Sequence, residues 1–324
     1  MKKYFFLLLA IFVMAGATDA ISFNRIIYPI KTKDTSDYVL MQYQAPQRIV
    51  SASPAVTEIL FALNLQDRIV GVTENCDWPE EALPAGRQAK KIEKVGRDKL
   101  NKDKVLKLQP DLVIVPLEGY RSELEGLRKI KFTVSSSTET NDVTLEVFAV
   151  DPKNLSDVFQ TISVIGTITN REHAAYSILQ RMKRRIDWVT ARGMKEKRMK
   201  AVVLVSKRPI TVAGEGILYD LTRAAGFVSV LSRGQNTKMK REEIAKANPD
   251  IIITNTDVAR NPKDIYNNRN FRKTNAGKNK KAVCVDKNLL RPGPRIPEAL
   301  EQIAEQAYGW PPRGEGREIE QIKE

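Results

Sequence analysis

Val105-Leu106-Lys107-Leu108-Gln109-Pro110-Asp111-Leu112-Val113-Ile114-Val115 returns 139 residues later as Ile244-Ala245-Lys246-Ala247-Asn248-Pro249-Asp250-Ile251-Ile252-Ile253-Thr254. In each copy a helical end meets a proline that cannot continue it, and Pro-Asp opens an apolar, β-branched run of the kind buried in a parallel sheet. A helix, a break and a buried strand at similar depth in both halves predict two similar lobes.

Upstream of the first copy, Arg48 to Ser53 reads as a short buried strand. Ser53 then offers an oxygen cap and Pro54 a first-turn proline for a helix running through Glu58, Leu60 and Leu63. Arg68 to Thr73 is a second apolar strand, ending in the polar loop Glu74-Asn75-Cys76-Asp77-Trp78-Pro79. Repeated strand, helix, strand alternation predicts an α/β fold of two Rossmann-like lobes, each a parallel sheet flanked by helices. Between the halves, Leu155, Val158, Phe159, Ile162 and Ile165 share a helical face, with a break expected at Gly166 and a restart at Thr169. Thr169 and Glu172 have the spacing of a capping box. Ala174, Ala175, Ile178, Leu179, Met182, Ile186 and Val189 then keep helical spacing to about Ala191, a long backbone helix of roughly 33 Å. A connector of helix predicts a stiff molecule whose lobes move little.

The organisation expected is a first lobe over 46–150, connecting helices over 151–194 and a second lobe over 195–310, preceded by a lead-in over 21–45. Residues 1–20 have the three parts of a secretory signal: Lys2 and Lys3, an apolar run from Tyr4 to Met14, and small residues at 15–17. That run is short of the ~20 residues of a membrane-spanning helix. No cysteine follows it to carry a lipid, so export to a periplasm is expected. The tail 311–324, rich in charge, Pro and Gly, is expected to be disordered.

The chain has 324 residues and 42% hydrophobic content, enough for two cores, and a formal charge of +14. Lysine and arginine are spread along it with no zinc finger or RNA-binding signature, so a nucleic-acid partner is not expected. The charge reads either as a generally basic surface or as an attraction for an acidic ligand. Cys76 and Cys284 lack the dense spacing of a disulfide framework and are read as two free thiols, a single bridge between them being the alternative. His173 is the single histidine, too isolated for a nucleophile-base-acid set or for a histidine-rich zinc or manganese site. Neither an enzyme nor a metal site is expected.

Three stretches in this order, Arg48-Ile49-Val50-Ser51-Ala52-Ser53-Pro54-Ala55-Val56-Thr57-Glu58-Ile59-Leu60-Phe61-Ala62-Leu63, Gln109 to Ile114, and Arg291-Pro292-Gly293-Pro294-Arg295, resemble the helical-backbone (class III) periplasmic substrate-binding proteins of ABC importers. The resemblance covers roughly 46–310. Gly71-Val72-Thr73, Cys76-Asp77-Trp78-Pro79 and Lys91 to Gly96 are most similar to the cobalamin-binding branch. It implies a monomeric protein, with no cofactor, that captures cobalamin or another corrinoid between two lobes and delivers it to an ABC permease pair; sister branches bind ferric siderophores or haem.

In open α/β sheets ligands sit beyond the carboxyl ends of the strands, which makes Ser53, Pro54, Trp78, Tyr120, Arg208, Glu215, Arg291 and Arg295 the candidate ligand-binding residues. Trp78 and Tyr120 offer flat contacts for a macrocycle or, alternatively, fill core. Arg291 and Arg295 match the family motif and offer forks for phosphate, amide or carboxylate groups; the alternative is lobe-packing salt bridges. Cys76 is read as a structural thiol. The resemblance also implies a docking glutamate on each lobe. Glu123 or Glu125 fits the first lobe, while Glu215, Asp220 and Thr222 give no clear match in the second. Pro116 and Asn288 stand where cobalamin binders often carry tryptophan.

Overall fold

The computed structural model describes residues 28–79, 92–135 and 140–311. The expected signal segment over 1–20, the start of the expected lead-in and the tail from 312 lie outside the described residues. An N-terminal hairpin, β1 (Ile30–Lys33) and β2 (Val39–Gln42), precedes the first lobe. That lobe contains β3 (Ile49–Ser51), α1 (Pro54–Ala62), β4 (Ile69–Val72), β5 (Glu93–Lys94), α2 (Lys102–Lys107), β6 (Leu112–Pro116), α3 (Leu117–Tyr120), α4 (Leu124–Arg128), the antiparallel pair β7 (Lys131–Ser135) and β8 (Thr140–Thr144), and β9 (Val147–Val150). Helices α5 (Leu155–Ile168) and α6 (Glu172–Gly193) connect the lobes. The second lobe contains β10 (Lys200–Lys207), β11 (Ile210–Val212), α7 (Ile217–Ala224), β12 (Val228–Ser229), β13 (Thr237–Lys238), α8 (Arg241–Ala247), β14 (Ile251–Asn255), α9 (Lys263–Tyr266), α10 (Asn275–Lys278), β15 (Ala282–Val285) and α11 (Ile296–Tyr308).

The first sheet is parallel, in the order β5-β4-β3-β6-β9. The chain leaves β3 in one direction to β4 and returns on its other side as β6, so the order reverses between β3 and β6. In the second lobe β12, β10, β14 and β15 are parallel, but β11 and β13 add an antiparallel edge to β10. The second sheet is therefore mixed rather than wholly parallel. Strand β10 is long enough, at eight residues, to pair with β12 and β14 along its first half and with a returning hairpin along its second.

The Pro-Asp repeat has a physical reason. The Asp111 carboxylate accepts hydrogen bonds from the backbone N–H groups of Gln47 (2.6 Å) and Arg48 (2.9 Å), fixing the start of β3 beside β6. Asp250 accepts from the Lys200 N–H at 2.9 Å and fixes the start of β10 beside β14. The basic side chain at each strand start returns to the preceding helix: Arg48 Nε reaches the Leu108 carbonyl (3.0 Å) and Lys200 Nζ the Ala247 carbonyl (3.1 Å), where the last carbonyls of a helix lack intrahelical partners. Gln109 (φ 45°) and Asn248 (φ 43°) supply the left-handed turn between.

Alternation along the strands divides the interior. Leu112 and Ile114 of β6 enter one core and Val113 and Val115 another, as a strand covered on both faces requires. The first of these cores is continuous from Leu60 through Ile162 and Ile178 to Val203, Ile253 and Leu300, so it joins both lobes through α5 and α6. Smaller cores lie on the outer faces, around Val113 in the first lobe and around Ile252 and Phe271 in the second.

The connector departs from the sequence expectation at its bend. α5 runs past Gly166 to Ile168, and the turn falls at 169–171 with Asn170 left-handed (φ 57°). Thr169 is not a cap for α6: its hydroxyl donates back to the Ile165 carbonyl at 2.6 Å, and the residue before α6, Arg171, makes no side-chain cap. A turn this tight spends Thr169 on ending α5. Gly166 lets the two helices close up, since a Cβ there would meet the Ala175 Cβ at 2.5 Å.

Candidate functional site

Ser53 caps α1 by accepting the Val56 N–H at 3.2 Å, with Pro54 at the first turn, so the turn from β3 into α1 is held at the carboxyl edge of the first sheet. Ser53, Ala55, Val56 and Ile59 line a cavity of about 280 Å³ whose other walls are Pro116 at the end of β6, Val150 at the end of β9 with Asp151 to Lys153 after it, Thr161 of α5, and Ile217 and Pro292 of the second lobe. The position is the strand-order reversal between β3 and β6, where α/β sheets form their ligand crevice. Lys153 bridges Asp151 (2.7 Å) and Glu118 (3.5 Å) on the rim, and its pKa is raised chiefly by the hydrogen bond to Asp151.

On the other flank of α1 a second cavity, about 450 Å³, is lined by Glu58, Phe61, Ala62, Gln66, Trp78, Pro79 and Pro294. The Arg291–Arg295 segment thus touches both flanks, through Pro292 on one and Pro294 on the other. Between them stands a cluster that crosses from lobe to lobe. Arg291 donates to Glu58 Oε1 (3.2 Å), to both carboxylate oxygens of Asp77, at 3.0 Å for Oδ2, and to Asn288 Oδ1 (3.0 Å). Arg295 lies 3.9 Å from Glu58 Oε1, donates to Glu298 at 3.3 Å, and places its guanidinium 4.3 Å from the centre of the Trp78 ring.

Glu58 is 2% exposed, and its Oε2 has no hydrogen-bond partner among the described residues. Burial pushes its pKa up to about 7, against the pull of Arg291 and Arg295. Asp77, more exposed, is held below the usual carboxylate range by its hydrogen bond from Arg291, and Arg291 is raised in turn by Asp77.

The expected site residues therefore do not form one group. Ser53 lines the interlobe cavity, Pro54 opens α1 beside it without lining the cavity, and Trp78, 42% exposed, lines the flanking one. The guanidiniums of Arg291 and Arg295 face first-lobe carboxylates and an indole, the arrangement of the lobe-packing alternative. Tyr120 is corrected as a cleft residue. It is 1% exposed in the first-lobe core, because its hydroxyl accepts the Leu100 N–H at 2.9 Å and draws the ring inward. Arg208 is exposed at the tip of the β10–β11 hairpin, where it lines a separate cavity of about 740 Å³ with Lys207, Pro209, Asn268, Arg269 and Asn270. Glu215 is exposed in the turn before α7. Of the docking residues, Glu123 pairs with Lys99 at 3.1 Å and Glu125 is 88% exposed, 3.8 Å from Lys129. Asp220 of α7 is engaged within the protein by the Leu155 N–H (3.1 Å) and by Arg233.

Glu58 and Asp77 were not singled out as site residues from the sequence. The signal available for Glu58 was a lone carboxylate in the apolar helix Pro-Ala-Val-Thr-Glu-Ile-Leu-Phe-Ala, which needs a cationic partner if buried. Among the described residues no group of three or more His, Cys, Asp and Glu side chains is placed to hold a metal ion.

Residues 49–289 match the sequence profile described as periplasmic binding protein. An ABC transporter substrate-binding lipoprotein of Bacillus subtilis is 28% identical, covering 87% of this chain and 86% of its own. A vitamin B12-binding protein of Vibrio cholerae is 23% identical over 79% of this chain and 87% of its own. The crystal structure of a possible iron-binding, periplasmic solute-binding protein from Staphylococcus epidermidis superposes with a TM-score of 0.67 at 27% identity, covering 82% of this chain and all of that one.

Proposed function

Because the chain belongs to the periplasmic binding protein family, whose members bind solutes rather than catalyse reactions, we propose that this ABC substrate-binding protein captures cobalamin or another corrinoid between its lobes. The observation that carries the reading is Trp78, an indole 42% exposed on the wall of the flanking cavity, with the Arg295 guanidinium over its ring at 4.3 Å. A flat aromatic surface between Pro79 and Pro294 suits the face of a planar macrocycle. The vitamin B12-binding relative supports the same reading across most of the chain. Ser53 forms part of the adjoining wall, Glu123 and Glu125 meet the permease, and the protein works as a periplasmic monomer.

The second reading, a ferric siderophore or haem, rests on Lys207, Arg208 and Arg269. These three cations line one cavity with no carboxylate in its wall, a setting suited to the acidic groups of such ligands. Titration of the purified protein with cyanocobalamin, haem and a ferric hydroxamate, followed by tryptophan quenching and calorimetry, separates the two. One-to-one binding of cyanocobalamin at micromolar affinity or better, weakened at least tenfold by Trp78→Ala, is the expected result. Saturation by an iron ligand alone, weakened by Arg208→Ala instead, replaces the corrinoid with the second reading.

A further inference from the structure

The charge of +14 is not evenly placed on the fold. Between Arg181 and Lys200, the second half of α6 and the segment after it, the chain carries nine lysines and arginines against two carboxylates. Arg181, Arg184, Trp188 and Arg192 follow one another at intervals of three, four and four residues on α6, so they form one stripe along its surface. All four are exposed, as is Met194 at 71% just beyond the helix, while Met182, Ile186 and Val189 on the opposite side are buried in the interlobe core.

The neighbouring carboxylates are engaged elsewhere. Asp187 pairs with Lys183, Glu301 with Arg185 at 2.6 Å, and Glu196 accepts the Trp310 indole N–H at 3.1 Å. Among the described residues none forms an ion pair with Arg181, Arg184 or Lys195. Arg192 lies across the stripe's aromatic base, 4.2 Å from the Trp310 ring centre and 5.5 Å from that of Trp188, and the two indoles meet edge to face at 6.0 Å.

We infer that this face of α6 is a docking surface for an anionic phospholipid bilayer. Arginines on flexible stems reach headgroup phosphates, while an indole and a thioether among them sit at the depth of the headgroup and acyl boundary, the division of labour of helices that lie in a membrane interface. A soluble polyanion would need the charges alone; the exposed Trp188 and Met194 between them are what select a lipid surface. None of these residues lines the interlobe cavity, so docking on α6 leaves the cleft accessible. The net effect is a protein held near the membrane in which its transporter lies.

The test is co-sedimentation of the full chain with vesicles of phosphatidylcholine alone and of phosphatidylcholine with 30 mol% (about a third) phosphatidylglycerol, a composition chosen to present headgroup charge. The expected result is binding to the anionic vesicles that collapses in high salt and falls about twenty-fivefold in Arg181→Ser/Arg184→Ser, at roughly fivefold for each cation. The variant's melting temperature is expected to stay within a degree or so of the parent, since exposed cations away from ion pairs contribute little to stability. Brominated acyl chains in the anionic vesicles are expected to quench a component of the fluorescence that Trp188→Phe removes. Equal binding to both vesicle types, an unweakened double variant, or displacement from anionic vesicles by duplex DNA at equal phosphate concentration overturns the inference, the last in favour of a general polyanion surface.

Discussion

Replacing Arg291 by methionine (Arg291→Met) keeps an aliphatic stem and removes the fork that joins Glu58 to Asp77. Burial holds the Glu58 carboxyl up at about 7, against 4.5 for an ordinary glutamate. The native protein therefore takes up a proton more readily than the unfolded chain. Stability from this group is fully present below pH 4.5, declines by about 1.4 kcal/mol per pH unit up to 7, and levels off above 7 as native Glu58 ionises against the guanidinium. Without Arg291 the native carboxyl stays protonated past pH 7, so the decline continues. The two proteins then differ little through this group at pH 6 and by roughly 1–2 kcal/mol at pH 8. Asp77, whose side chain is 55% exposed, adds a surface-pair loss of about 0–1 kcal/mol at either pH. Urea unfolding of both proteins at pH 6 and pH 8 measures the difference. A cost that is equal at the two pH values, or larger at pH 6, refutes the account of Glu58 as a buried carboxyl whose ionisation depends on Arg291.

Gly166→Ala places a methyl group 2.5 Å from the Ala175 Cβ, so α5 and α6 must separate; a drop in melting temperature of roughly 5 °C is expected from calorimetry. Cys76 is fully buried, and burial pushes the Cys284 thiol up to about 11, so a disulfide-exchange reagent such as DTNB is expected to find no thiol in the native protein at pH 8 and two after unfolding.

What the sequence made legible was what neighbouring residues decide. Ser53-Pro54 starts a helix because a side-chain oxygen and a fixed φ act within one turn, and Gln109-Pro110-Asp111 ends one and opens a strand for equally local reasons. The two-lobed α/β architecture followed from those signals. The site did not, because its decisive contacts join distant segments. Arg291 and Glu58 are 233 positions apart, and nothing beside either residue names the other. Tyr120 stands beside a strand end, as a cleft residue would, yet the Leu100 N–H, 20 positions upstream, takes its hydroxyl and turns the ring into the core. At Thr169 two local signals competed: the hydroxyl fits a cap for α6 by spacing, but the carbonyl of Ile165 one turn earlier is closer to hand. The antiparallel edge of the second sheet was hidden in strands of two and three residues, too short for alternation to register.

The cluster around Glu58 also bears on the size of the ligand. It stands between cavities of about 280 and 450 Å³ on the two flanks of α1. A compact solute can occupy one flank, near the lower end of the ~300–1,000 Å³ range of small-molecule sites, and leave the ion pairs intact. A corrinoid spanning both must part Arg291 from Glu58. If the carboxyl stays buried when that happens, it loses the charge that favours its ionised form and takes up a proton. Binding of cyanocobalamin at pH 8 is therefore expected to consume up to about one proton, read by calorimetry as a dependence of the apparent enthalpy on the ionisation enthalpy of the buffer, and Glu58→Gln is expected to abolish that dependence. Binding without proton uptake in the parent protein would place the macrocycle on one flank alone, with the interlobe ion pairs still closed beneath it.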